Sequence, residues 1–162
     1  MTGPLRVDLA LFLLTFAADR DYHANIEGQE TYLDRSSGAL IYTVTDPSIV
    51  AALIGEAAIA DFLDNTALVK ANPDRYLLIP SMSHGEHHAV IQAFLDSDWT
   101  SDQQRRDHAS GVYFPRKSLG YWVKNVGDEA TLQAHDAFRS ARHQQLAEDF
   151  LRKNGISNFE WV

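Results

Sequence analysis

Apolar positions change their spacing several times along this chain. Residues 9–18, LALFLLTFAA, form the most apolar run and stop at Asp19. A bilayer-spanning helix needs ~20 apolar residues, so this run predicts a buried helix. Its length and small end residues also suit the core of a secretory leader. Such a leader starts positive, and Asp8 cancels Arg6, the only early cation. Residues 29–44, QETYLDRSSGALIYTV, switch to strand-favouring Tyr, Thr, Ile and Val on either side of a turn. They predict a hairpin with strands at about 29–35 and 39–45. Asp34 is placed to cap that turn through its side chain, and Gly38 to take a positive φ.

Asp46 then reads as a helix N-cap with Pro47 at the first helical position. Ile49, Leu53, Ala57 and Ala60 continue the helical spacing. NPDRYLLIP, residues 72–80, predicts a turn and a short strand over about 74–80, closed by Pro80. From Ser83 onward helical spacing dominates. It predicts helices over about 84–97, 100–108, 114–126 and 128–154, with Gly155 as the stop after the last. The apolar tail ISNFEWV is expected to dock as an edge strand over about 157–162. Strands before helices point to an α+β fold. An N-terminal helix and a small antiparallel sheet of three or four strands would pack against a C-terminal helical half. At 162 residues, with no internal repeat, a single globular domain over 1–162 is expected.

Composition narrows the functional classes. With no cysteine, the chain has no disulfide, no thiolate nucleophile and no Cys-ligated metal. This fits a reducing, cytoplasmic setting. A net charge of −8 disfavours nucleic acid overall and anionic membranes, which attract positive surfaces. The bias is uneven: residues 1–70 carry −6 and residues 71–162 carry −2.

Three patterns carry candidate chemistry. In SMSHGEHH, residues 81–88, His84 and His88 lie four apart, a spacing competent for metal. Ser83 and Glu86, however, fit the S-x-x-E capping box. His87 leads the apolar face of Val90, Ile91, Phe94 and Leu95 and so is expected to point inward. A helix N-terminus also repels a cation. His84 and His88 are therefore rejected as metal ligands. Residues 105–125 hold Arg105, Arg106, Arg116, Lys117 and Lys124 against Asp107 alone, interleaved with Tyr113, Phe114, Tyr121 and Trp122. Cations among aromatics suit phosphate contact with base stacking, though a core of aromatics under a solvated basic face explains them equally. On the last helix His135, Arg139 and Arg142 share a face, able to take an anion or to pair with carboxylates. No nucleotide-binding, metalloprotease or serine-hydrolase motif is present.

Tyr32, Leu33, Asp34 and Gly38 in the hairpin form the first part of a longer pattern. Pro73, Asp74, Arg75, Tyr76, Ile79 and Pro80 follow, then Glu86 and Phe94. Phe138, Arg139, Arg142, Leu151, Asn154, Gly155 and Ile156 complete it on the last helix. In this pattern, from about residue 7 to 156, the chain resembles an uncharacterised bacterial protein family without a functional name. The resemblance implies a small cytosolic α+β protein and carries no activity, ligand or cofactor. The chain departs from the family pattern before the last helix. Gly111 and Phe114 are kept there, Pro115 intrudes, and His88 stands where relatives place an aromatic residue.

The expectation is a non-enzymatic binding or protein-interaction module without a cofactor, whose partner is another protein or a second copy. Arg75, Arg116, Lys117, Arg139 and Arg142 are its candidate binding residues. The alternatives are nucleic-acid or phosphorylated-ligand binding through 105–125, and a metal-dependent hydrolase built on His84 and His88.

Overall fold

The computed structural model describes residues 3–18, 28–97 and 129–162. In chain order they form β1 Leu5–Val7, α1 Leu9–Phe16, β2 Gln29–Asp34, β3 Leu40–Val44, α2 Pro47–Ile54 and α3 Glu56–Ala71. There follow β4 Tyr76–Leu78, α4 His84–Leu95, α5 Glu129–Lys153 and β5 Phe159–Trp161. The expected helices over about 100–108 and 114–126 lie outside the described residues. The chain divides into two compact units. The first comprises Met1–Ser83 with Leu146–Val162, and the second His84–Gln145. The α+β class is borne out.

The first unit is built on β2, the centre of an antiparallel sheet ordered β3-β2-β4. Thr31 and Leu33 are buried, two residues apart on one face, as a strand's period of two requires. Leu33 pairs with Leu40 on one side and Leu77 on the other. The free edge of β3 is blunted by α3. Thr66 Oγ1 accepts from Val44 N at 3.0 Å, and Asn65 Nδ2 donates to the Tyr42 carbonyl at 3.0 Å. Side chains thus satisfy backbone groups that would otherwise invite another strand.

Asp8 caps α1, accepting from Leu11 N at 2.9 Å. The helix buries Phe12 and Phe16 and leaves Leu14 69% exposed. Phe12 is fully buried against Phe16, Phe150 and Trp161, with ring centroids 5.6, 6.4 and 5.6 Å away. Tilted and edge-on pairs of this kind add about 0.5–1.5 kcal/mol each beyond their buried area.

Two details depart from the pattern-based expectation. The helix begun at Asp46 does not run on through Ala57. It breaks at Gly55, where φ is 90° and ψ 152°, values open to a residue without Cβ. The break lets Val50 of α2 and Ile59 of α3 both pack on Val44. The C-terminal tail does form a strand, but it joins no antiparallel sheet. It pairs parallel with β1, Leu5 opposite Phe159 and Val7 opposite Trp161. A three-residue strand such as β1 is too short to show a periodicity.

The expected stop after the last helix is present. Gly155 takes φ 82°, its N–H donates to the Arg152 carbonyl at 3.0 Å, and Ile156 N donates to the Leu151 carbonyl at 2.9 Å. This is a Schellman closure with Ile156 buried beneath it. In the second unit, α4 buries Val90 and Phe94. The Phe94 ring meets His135 edge-on at 5.0 Å and Phe138 at 5.5 Å. Among the described residues no helix is long and apolar enough to cross a membrane.

Gly38 and Gly155 separate two reasons for glycine. Both have positive φ, at 79° and 82°. A Cβ on Gly155 would meet open space, whereas one on Gly38 would overlap the Arg6 carbonyl. Gly155→Ala should therefore lower stability by about 1 kcal/mol, the backbone term alone. Gly38→Ala should lower it by more than about 2 kcal/mol. Urea unfolding of the two variants measures the difference.

Candidate functional site

Asp34 ends β2 and is 3% exposed. A buried carboxylate needs partners for its lone pairs, and here it has five hydrogen bonds. Arg75 Nε donates to Oδ1 at 3.0 Å and Arg75 Nη2 to Oδ2 at 2.6 Å, a two-pronged pair. Ser36 N and Ser36 Oγ donate to Oδ1 at 2.8 and 2.7 Å, and Ser37 Oγ to Oδ2 at 2.9 Å. The Arg75 guanidinium, helped by the two serines and opposed by burial, holds the Asp34 carboxyl well below the usual carboxylate range. Asp34 does cap its turn, as expected. Arg75, read from the pattern as a candidate binding residue, is engaged in the same network.

The turn fixed by Asp34 forms one wall of an open cleft of about 770 Å³. Arg35, Ser36 and Ser37 come from the hairpin. Residues 3–6 before and within β1 supply Arg6, and the loop after α5 supplies Ser157 and Asn158. Arg35 Nη1 donates to the Asn154 carbonyl at 2.7 Å, placing a cation at the negative end of α5. Arg6 pairs with Glu160 at 3.1 Å on the exposed rim. Among the described residues the lining contains two arginines and no aspartate, glutamate or histidine.

A second hollow, about 240 Å³, lies beside β3 and α3, lined by residues including Glu30, Tyr32, Thr66 and Lys70. Tyr32 donates to Glu30 Oε2 at 2.9 Å. Burial, then that carboxylate, pushes its phenol up to about 12, so it stays a donor at neutral pH.

In the second unit His135 and His143 are buried. His135 is 1% exposed, so it belongs to the core and not to a basic face with Arg139 and Arg142. His87 meets His143 edge to face. Arg139 pairs with Asp136 at 3.3 Å, and Arg142 donates to Gln145 Oε1 at 2.9 Å. Both partners are on α5 itself, not in the acidic first half. Arg116 and Lys117, with the whole segment 105–125, lie outside the described residues. Among the described residues no group of three or more metal-ligating side chains is close enough to hold an ion, and this includes His84 and His88.

The model of the Uncharacterised protein family (UPF0158) matches residues 3–160. The chain belongs to UPF0158. The family resemblance carried by the Tyr-Leu-Asp hairpin, the Pro-Asp-Arg-Tyr strand and the Asn-Gly-Ile end of the last helix is thereby borne out. No curated protein and no solved structure matches this UPF0158 chain. Arg6, Arg35, Ser157 and Asn158 escaped sequence reading because the cleft is assembled from three distant stretches. Of the lining residues only the hairpin turn left a local signal.

The Asp34 pair makes stability depend on pH. Its folded carboxyl titrates below the unfolded value, so its contribution is whole above the usual carboxylate range and is lost as pH falls below it. Asp34→Ala should cost about 3 kcal/mol at pH 7 by thermal or urea unfolding. In Arg75→Ala the buried carboxylate loses its cation. The deficit against the parent should be largest at neutral pH and shrink as pH falls below about 4.

Proposed function

We propose that this UPF0158 chain is a cytoplasmic, non-enzymatic binding module whose cleft takes a small anionic ligand, a carboxylate or a phosphate. The observation that carries this reading is the lining: two arginines, two turn serines, Ser157 and Asn158, and no carboxylate among the described lining residues, in a chain of net charge −8. Guanidinium groups with hydroxyls and an amide are suited to oxygen anions. The volume, about 770 Å³, lies within the range of small-molecule sites. The described lining residues include no histidine, cysteine or acid, the groups that most often serve as a general base. The nearby Asp34 is a poor one, since its carboxyl is held low and its oxygens are occupied by Arg75, Ser36 and Ser37. The absence of cysteine supports a reducing compartment.

Titration calorimetry with inorganic phosphate at low ionic strength tests this. Saturable binding is expected that weakens as salt rises. Arg6 sits on the exposed rim, so Arg6→Gln should fold normally and bind phosphate about tenfold more weakly. No heat at millimolar phosphate, or equal affinity in Arg6→Gln, would contradict the reading.

A further inference from the structure

The second unit buries imidazole that its helices do not satisfy. His87 lies on α4 and His143 on α5. Their rings stand at 88° with centroids 5.6 Å apart. His143 is 8% exposed, and the Nε2 of each ring is buried with no hydrogen-bond partner among the described residues. Such a contact is tolerable while the His143 ring is neutral. A proton on it creates a buried cation whose Nε2 has no hydrogen-bond partner among the described residues.

Among the described residues, the charged and titratable groups that act on His143 all oppose that proton. His87 faces it from α4, and Arg139 and His135 lie on its own helix, one and two turns back. Asp136 shares that face, but it pairs with Arg139 at 3.3 Å, and its pull acts on His135.

We infer that the His87–His143 contact forms an acid-labile latch between α4 and residues 129–145 of α5, closed while the His143 ring is neutral and released when it takes a proton. Release separates the helices and uncovers Val90, Phe94 and Phe138. Burial first, then these cationic neighbours, holds the His143 imidazole down at about 4 against an ordinary 6.5. Because the closed form titrates lower than the open one, the open form binds the proton more tightly. The latch is therefore whole above pH ~6.5 and weakens steadily as pH falls toward ~4. Asp34, within the first unit, also loses its contribution as pH falls, but only at lower pH. Its carboxyl stays ionised and paired through the same window.

Hydrogen exchange of the full chain, read by mass spectrometry at pH 7.5 and pH 5 and corrected for intrinsic exchange rates, tests the inference. Protection over 84–95 and 129–145 should fall roughly 10- to 30-fold more than protection over 29–44. His143→Leu should abolish that difference, and His87→Leu, at a less buried position, should reduce it. Titration of the imidazole resonances in the unaltered chain covers the case in which a variant does not fold. The His143 ring should then titrate near or below about 5. The inference is overturned by equal loss of protection in both regions, by an undiminished fall in both variants, or by the His143 ring titrating near ~6.5.

Discussion

The burial of the Asp34 carboxylate beneath the half-exposed Arg75 guanidinium is the constraint on which the first unit depends. A carboxylate at 3% exposure is affordable only because five donors reach it, and each donor comes from a place that must then stay fixed. Arg75 brings the start of β4 to the end of β2. Ser36 and Ser37 set the turn, and Gly38 N closes it on the Asp34 carbonyl at 2.8 Å. The tightness of that turn brings Gly38 against the Arg6 backbone, which aligns β1. Arg35, next in sequence, then reaches the end of α5 through the Asn154 carbonyl. One satisfied charge thus positions a hairpin, two further strands and a helix terminus.

The second unit solves polar burial differently. His135 packs its ring against Phe94, and His87 and His143 pack against each other. These rings pack edge-on as aromatic side chains do. Asp34 is stabilised by being charged, while His143 is stabilised by remaining uncharged. One chain therefore contains two buried titratable sites whose linkages to pH have opposite causes. The chain is acidic as a whole, and Glu160 pairs with Arg6 on the rim of the cleft. Two arginines stand there without a carboxylate among the described lining residues. Membership of UPF0158 accounts for the shared pattern of the chain, whereas function must be argued from the cleft, since a fold carries many chemistries.

Local chemistry made much of this architecture legible in the amino acids. Asp46 with Pro47 starts α2, Asp34 with Gly38 makes the hairpin turn, and Gly155 ends α5, because each acts on backbone groups a few residues away. The α+β order and the inward turn of His87 followed from periodicity alone. The break at Gly55 was less legible. Glycine permits positive φ but does not demand it, and the packing of both Val50 and Ile59 on Val44 selects the bend.

What tertiary structure alone decided are the pairings between residues distant in sequence. β1 meets β5 across nearly the whole chain, Arg75 reaches Asp34 across 41 positions, and Arg35 reaches Asn154 across 119. Nothing in the spacing of charges told which arginine would be consumed by a buried carboxylate and which would line a cleft. That outcome depends on desolvation, and desolvation is a property of the assembled core. The sequence by itself determined where the chain turns, starts a helix and stops one. Only the fold decided which charges are buried, because burial is set by neighbours that local sequence does not contain.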